Sequence, residues 1–155
     1  MRLLVVPFLF QAVLISAQPQ PALTPVHWST AVEDKGNGDV LLNAIATLQD
    51  GWHVYALTLP RNDGPLPTVF TFASSDAYEL LGDVQEQEPI EVEDPNFAML
   101  VRYHGHKPVF MQKVRRGSPE AFQVKGSVEY MACNDRMCLP PATVPLVFTV
   151  DAVSK

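Results

Sequence analysis

The sequence predicts an all-β chain, specifically an immunoglobulin-like β-sandwich, on three observations. From Val26 onward, apolar residues recur at every second position through one short run after another. Gly, Pro, Asn and Asp interrupt the runs at Gly36 to Gly38, Asp50-Gly51, Pro60 to Pro67, Asp94 to Asn96 and Gly117 to Pro119. No stretch has the spacing of an amphipathic helix long enough to pack. A small closed barrel is the alternative architecture for the same pattern.

The first segment differs in kind from the rest. "MRLLVVPFLFQAVLISAQ" has one basic residue, then an apolar run, then a small residue at Ala17. This is the pattern of a secretory signal peptide over residues 1–18, cleaved near Ala17 or Gln18. The run is too short for a bilayer and Gln11 interrupts it. No cysteine lies near the cleavage point, so a lipid-modified terminus is not expected. Residues 19–25, rich in Gln and Pro, are expected to be a disordered linker. A single sandwich domain over 26–152 follows, in a soluble, exported product.

Within the domain each strand has its own signal. Val26, Trp28, Thr30 and Val32 share one parity. "GNG" then makes a hairpin turn, and Val40, Leu42, Ala44, Ala46 and Leu48 resume the alternation. "WHVYAL", "TVFTF", "YELLGDV", "FAMLVRY", "PVFMQKV", "FQVKGSVEYMAC" and "TVPLVFTV" complete eight or nine short strands. Trp52, His53 and Tyr55 read first as aromatics packing into the sandwich.

Charge narrows the partners. The chain has 11 basic residues, one of them Arg2 in the leader, against 17 acidic ones, a formal net charge of -6. Apart from Lys113, Arg115 and Arg116 there is no basic cluster, which argues against nucleic acid and anionic membrane. Those three read as a solvated strand end, with an acidic partner as the weaker alternative.

The chemistry concentrates in "VEYMACNDRMCLPPATVPLVFTV", which holds the only two cysteines, Cys133 and Cys138. Outside the cytosol such a pair forms and keeps a disulfide. Val128, Tyr130 and Ala132 share the apolar parity, while Ser127 and Glu129 are polar. A regular strand therefore puts Met131 and Cys133 on the opposite, less buried face. A bulge at Gly126 would reset that phase.

Three functions fit the pair. As the structural staple of a non-catalytic binding sandwich it contributes little, since so short a loop yields only about 2 kcal/mol in the chain-entropy model. As a metal clamp for copper or zinc it would need Met131, Met137, His104 or His106 as co-ligands, and the spacing is not that of a zinc knuckle. As a redox pair, one thiolate attacks a partner's disulfide and the other resolves the mixed disulfide. Arg136 in the polar loop favours a thiolate and Asp135 opposes it. Pro140 and Pro141 stiffen the exit from Cys138.

"VEYMACNDRMCLPPATVPLVF" resembles the active-site hairpin of the N-terminal periplasmic domain of the thiol:disulfide interchange protein DsbD. That family shows Y-x-x-C, a short polar loop, then C-x-P-P and a final strand. "GWHVYALTLP", "GPLPTVFTF" and "YHGHKPVFMQKV" are similar to the same family, so the resemblance spans about Val26 to Val150. It implies an immunoglobulin-like sandwich with an exposed redox hairpin beneath a cap loop, and no cofactor beyond the Cys133–Cys138 disulfide. It implies that Cys138 forms mixed disulfides and Cys133 resolves them. Tyr103, His104 and Gly105 match the cap loop, with His104 in place of the second aromatic. Tyr55, Tyr130, Arg136 and Pro140 are supporting residues in this scheme. The inter-cysteine loop is one residue shorter than in the best-known members.

The partners so implied are a thioredoxin-like periplasmic protein or domain and a membrane electron-transfer protein of the DsbD/CcdA type. Exported disulfide-containing proteins are the implied substrates, which would make the chain a component of a protein-disulfide reductase in the periplasm. The sequence contains neither a transmembrane bundle nor a C-x-x-C thioredoxin domain. It is read either as a stand-alone module or as a piece of a longer chain. On the residues alone, His104 reads as an exposed loop histidine, with a general-base role as the alternative. Tyr103 has the parity of a buried residue.

Overall fold

The computed structural model describes residues 23–153, and the expected signal peptide lies outside them. The described residues contain no helix, hence none long and apolar enough to cross a membrane. They form eleven strands: β1 (Val26–Gly36), β2 (Asp39–Leu48), β3 (His53–Tyr55), β4 (Val69–Phe72), β5 (Tyr78–Glu86), β6 (Ile90–Asp94), β7 (Met99–Gly105), β8 (Val109–Arg116), β9 (Phe122–Tyr130), β10 (Ala132–Cys133) and β11 (Ala142–Val150). Three antiparallel sheets result, ordered β1-β2-β8-β5, β10-β3-β7-β6 and β11-β9-β4.

The turn that joins β1 to β2 follows from its residues. Asn37 and Gly38 have φ of 53° and 81°, the two positive values that a tight hairpin turn of matching twist requires. Beyond it the alternation read from the sequence is observed: Val40, Leu42, Ala44, Ala46 and Leu48 are all buried. They share one core with Val26 and Trp28 of β1, Phe110 and Val114 of β8, Val124, Val128 and Tyr130 of β9, and Leu146, Phe148 and Val150 of β11. Trp28 sits among the aromatic rings of Phe70, Phe110 and Tyr130, at centroid separations of 5.9, 5.7 and 5.4 Å.

Gly126 does not bulge. Its strand pairs with β11 in unbroken register from Phe122↔Val150 to Tyr130↔Ala142. The glycine serves a close approach instead: a Cβ there would lie 2.5 Å from the Thr71 carbonyl of β4. The phase of the cysteine strand is therefore the one its residues predict.

Three boundaries differ from expectation. β6 was not evident, because "IEVED" is acidic and lies at a sheet edge, where charge replaces hydrophobic alternation. The run ending in Cys133 divides at Met131, where the chain leaves the β11-β9-β4 sheet and enters the β10-β3-β7-β6 sheet. Pro25, assigned to the linker, is buried, and its carbonyl accepts the Gln49 N–H at 2.8 Å, so ordered contacts begin before Val26.

Lys113 and Arg115 both pair with Asp39, at 2.6 and 2.9 Å, and Arg116 lies against Asp34 and the Asp151 carbonyl. Much of the basic cluster's charge is thus met within the chain. These cations hold the Asp39 carboxyl below its usual range, chiefly through the Lys113 and Arg115 bonds.

Candidate functional site

The cysteines close a short hairpin. Cys133 and Cys138 are disulfide-bonded, with Cα atoms 4.1 Å apart. Asn134 organises the four residues between them: its side-chain Oδ1 accepts the Arg136 and Met137 N–H groups, both at 2.9 Å. Its backbone N–H donates to the Met137 carbonyl at 2.9 Å, and the Leu139 N–H reaches back to the Ala132 carbonyl. An Asn side chain that binds backbone two and three residues on is a turn-forming device. The two cysteines differ in surroundings, since Cys133 is fully buried and Cys138 only half-buried.

Burial of Cys133 corrects the expectation of a less buried face, though not its parity. Tyr130 and Ala132 point into the main core, and Met131 and Cys133 point to the other side. That other side is covered by a second cluster, built from Tyr55, Met99, Val101 and Cys133, with Leu59, Val92, Phe97, Tyr103, Met131 and Cys138 packed around it. The cover is the turn between β6 and β7. Asp94 opens it, accepting the Asn96 N–H at 2.7 Å and the Phe97 N–H at 3.3 Å on one carboxylate oxygen. The Ala98 N–H donates to the Asp94 carbonyl and Ala98 has φ of 50°, an uncommon value for a residue with a Cβ. From this turn the Asn96 side chain donates to the Asn134 carbonyl at 2.8 Å, and Phe97 packs edge-on to Tyr55.

Below the turn lies a buried polar group. The Tyr55 hydroxyl donates to Asp94 Oδ2 at 2.6 Å, and burial followed by this bond raises the phenol pKa far above its ordinary value. The His53 ring stands edge-on to Tyr55 and stacks on Tyr103 at 4.3 Å. Its Nε2 lies 3.8 Å from Asp94 Oδ2 and has no hydrogen-bond partner. Burial pushes the imidazole below its ordinary pKa, and the carboxylates of Asp94 and Asp135 oppose that shift.

The expected site residues divide between two faces. Cys133, Cys138, Tyr55 and Tyr103 gather in the second cluster. Tyr103, His104 and Gly105 are the last residues of β7 rather than a cap loop, and they pair with Tyr55, Val54 and His53. His104 is not an exposed loop residue. It is 5% exposed, faces Phe110 of the main core, and its Nε2 lies 2.9 Å from Glu86 Oε2. Glu86 also accepts the Leu57 N–H, so it ties β5 to the segment after β3.

Tyr130 is in the main core, and Arg136 is exposed at the hairpin tip. Pro140 lines an apolar groove of about 330 Å³ with Leu23, Pro25, Tyr130 and Leu139. His104 and the exposed His106 do not converge on the cysteines. No group of three His, Cys, Asp or Glu stands at metal-binding spacing among the described residues. The residues to which the sequence assigns no part in the site are Asp94, Asn96, Phe97 and His53, the last read only as a packing aromatic. The Asp94–Asn96 turn was visible, but its contact with a hairpin 38 residues away was not.

The family model for the N-terminal part of thiol:disulfide interchange protein DsbD matches residues 20–148. Among solved structures, the N-terminal domain of Neisseria meningitidis DsbD in the reduced form is 18% identical at a TM-score of 0.56, over 83% of this chain and 87% of that one. The N-terminal periplasmic domain of ScsB from Proteus mirabilis is 14% identical at 0.58, over 86% of this chain and 49% of that one. A complex between the DsbD N-terminal and PilB N-terminal domains from Neisseria meningitidis supplies a third match, 17% identical at 0.55, over 81% and 85%. No curated protein matches the chain. The shared fold is an immunoglobulin-like β-sandwich.

Proposed function

Since the chain belongs to the family of the N-terminal domain of the thiol:disulfide interchange protein DsbD, a family of thiol–disulfide exchange, we propose that it is a periplasmic exchange module and a component of a protein-disulfide reductase. In this reading it takes reducing equivalents from a thioredoxin-like protein or domain, itself served by a membrane electron-transfer protein. It delivers them to exported proteins that contain disulfides. The observation that carries the reading is the asymmetry of the Cys133–Cys138 pair, with one cysteine buried and the other half-buried at a hairpin.

Cys138, the less buried cysteine, forms the mixed disulfide with a partner, and Cys133 resolves it from beneath. The related DsbD domain found in complex with a PilB domain supports a protein partner. The similar ScsB domain is periplasmic, which supports the compartment. Shielding of the pair between encounters falls to the Asp94–Ala98 turn with Asn96 and Phe97, while Tyr103 packs at the side. His104 has a structural part, pairing with Glu86.

The experiment is a trapping assay with a thioredoxin-like protein. Cys133→Ala should accumulate a mixed disulfide through Cys138, and Cys138→Ala should form none. If neither cysteine exchanges with such a protein, the reading fails.

A further inference from the structure

We propose that His53 takes the proton from Cys133 when Cys133 resolves the mixed disulfide, an inference that rests on the exchange function above. Cys133 and His53 are direct partners in the antiparallel β10–β3 pair. Directly opposed residues share a face, with Cβ atoms about 5 Å apart. Cys133 is fully buried, and a buried thiol resists ionisation. Its attack therefore calls for a base at hand. His53 is 7% exposed, and its Nε2 is buried without a hydrogen-bond partner, so a ring nitrogen is left free for this work. Tyr55 and Tyr103 fix the ring from two sides.

The groups around His53 suit a transient imidazolium. Asp94 from β6 stands 3.8 Å from Nε2, and Asp135 comes from the cysteine hairpin. Tyr55 lies on the same strand, Tyr103 on β7 and Cys133 on β10. Asp50 and His106 line the same groove of about 270 Å³, through which the ring meets solvent. Burial keeps the resting imidazole neutral near pH 7, the form that accepts a proton.

The steps balance. In the reduced protein Cys138 thiolate attacks the partner's disulfide, forming Cys138–S–S–partner and releasing the partner's other sulfur as a thiolate. Cys133 then gives its proton to His53 Nε2, and its thiolate attacks Cys138 Sγ. The Cys133–Cys138 bond forms, the bond to the partner breaks, and the departing thiolate takes the proton from His53. Two electrons leave this protein, and the partner's disulfide is reduced to one thiol and one thiolate, the thiolate taking its proton from solvent.

A chromogenic nitrothiobenzoate disulfide used as the partner separates the two halves. Reduced protein releases one thiolate on attack by Cys138 and a second on resolution by Cys133. His53→Gln should slow the second release about tenfold or more near neutral pH and leave the first within about twofold. In the wild type the second release should fall as pH drops through the His53 titration. Asp94→Asn, which removes a charge that favours the imidazolium, should move that fall to lower pH. A second release unchanged in rate and pH profile by His53→Gln overturns the proposal. If His53→Gln does not fold, a wild-type acid limb indifferent to Asp94→Asn overturns it. A wild-type protein that never releases the first thiolate refutes the exchange function, and the role of His53 with it.

Discussion

The Tyr55 hydroxyl and Asp94 Oδ2 meet at 2.6 Å beneath the disulfide, linking the strand under the cysteine hairpin to the turn that covers it. Asp94 is 2% exposed, and its other oxygen holds the Asn96 and Phe97 N–H groups. One buried carboxylate thus fixes both the floor and the roof of the site. Such a charge is tolerable inside a protein only while its hydrogen bonds are made.

Asp94→Ala should therefore destabilise the domain by about 2–4 kcal/mol, since three donors lose their acceptor. Tyr55→Phe removes one of those bonds and should cost about 1–2 kcal/mol. Urea unfolding of the two variants beside wild type measures both. Equal costs would contradict the shared role of the carboxylate.

Phe97→Ala should open the roof. The residue is half-buried against the disulfide cluster, so the stability loss should be about 1–3 kcal/mol, below that of a fully buried ring. The larger effect should be kinetic: a small thiol should reduce Cys133–Cys138 several-fold faster than in wild type, roughly the gain expected from greater access to the sulfur. Stopped-flow reduction in excess dithiol checks this. An unchanged rate would mean that Phe97 packs without shielding.

The pH dependence of stability should carry the signature of His53. Its folded pKa lies below the ordinary imidazole value because burial disfavours the charged form. In the unfolded chain His53 charges as pH falls through about 6.5. The unfolded state then binds the extra proton, so stability drops from that point down toward the folded pKa. The contribution is fully present above neutrality. His53→Gln should flatten the change in unfolding free energy between mildly alkaline and mildly acidic pH. The same slope in variant and wild type would assign the acid sensitivity to other groups.

Gly126→Ala should weaken the pairing of β4 with β9. A Cβ would meet the Thr71 carbonyl at 2.5 Å, and backbone cannot swing aside as a side chain can. The expected cost is about 1–3 kcal/mol, as for other overpacking changes. Amide exchange should show the loss first at Phe72, the Gly126 partner in β4. An increase in stability would mean that β4 shifts freely.

The strands that build the main core were legible, because each has one buried face and period two records it. Val40 to Leu48 and Val144 to Val150 fall in this group. β6 was hidden, since Glu91 and Glu93 sit at an edge where the second face is water, and Glu91 pairs with Arg102 of β7. His104 was misplaced because His-Gly-His looks like a turn. Its burial depends on Glu86, which arrives from another sheet. The turn over the cysteine cluster was hidden for a related reason: Phe97 looks like the start of an apolar strand, and only Asp94's grip on the Asn96 and Phe97 N–H groups holds it in a turn.

By itself the sequence determined the cysteine hairpin and the direction in which Cys133 points. Side-chain parity is a local property of the backbone, and an unbroken register through Gly126 preserves it. Tertiary structure alone decided what Cys133 points into. Its face is covered by a turn distant in sequence and floored by Tyr55, Met99 and Val101. Alternation encodes which residues share a side; burial depends on what else folds against that side.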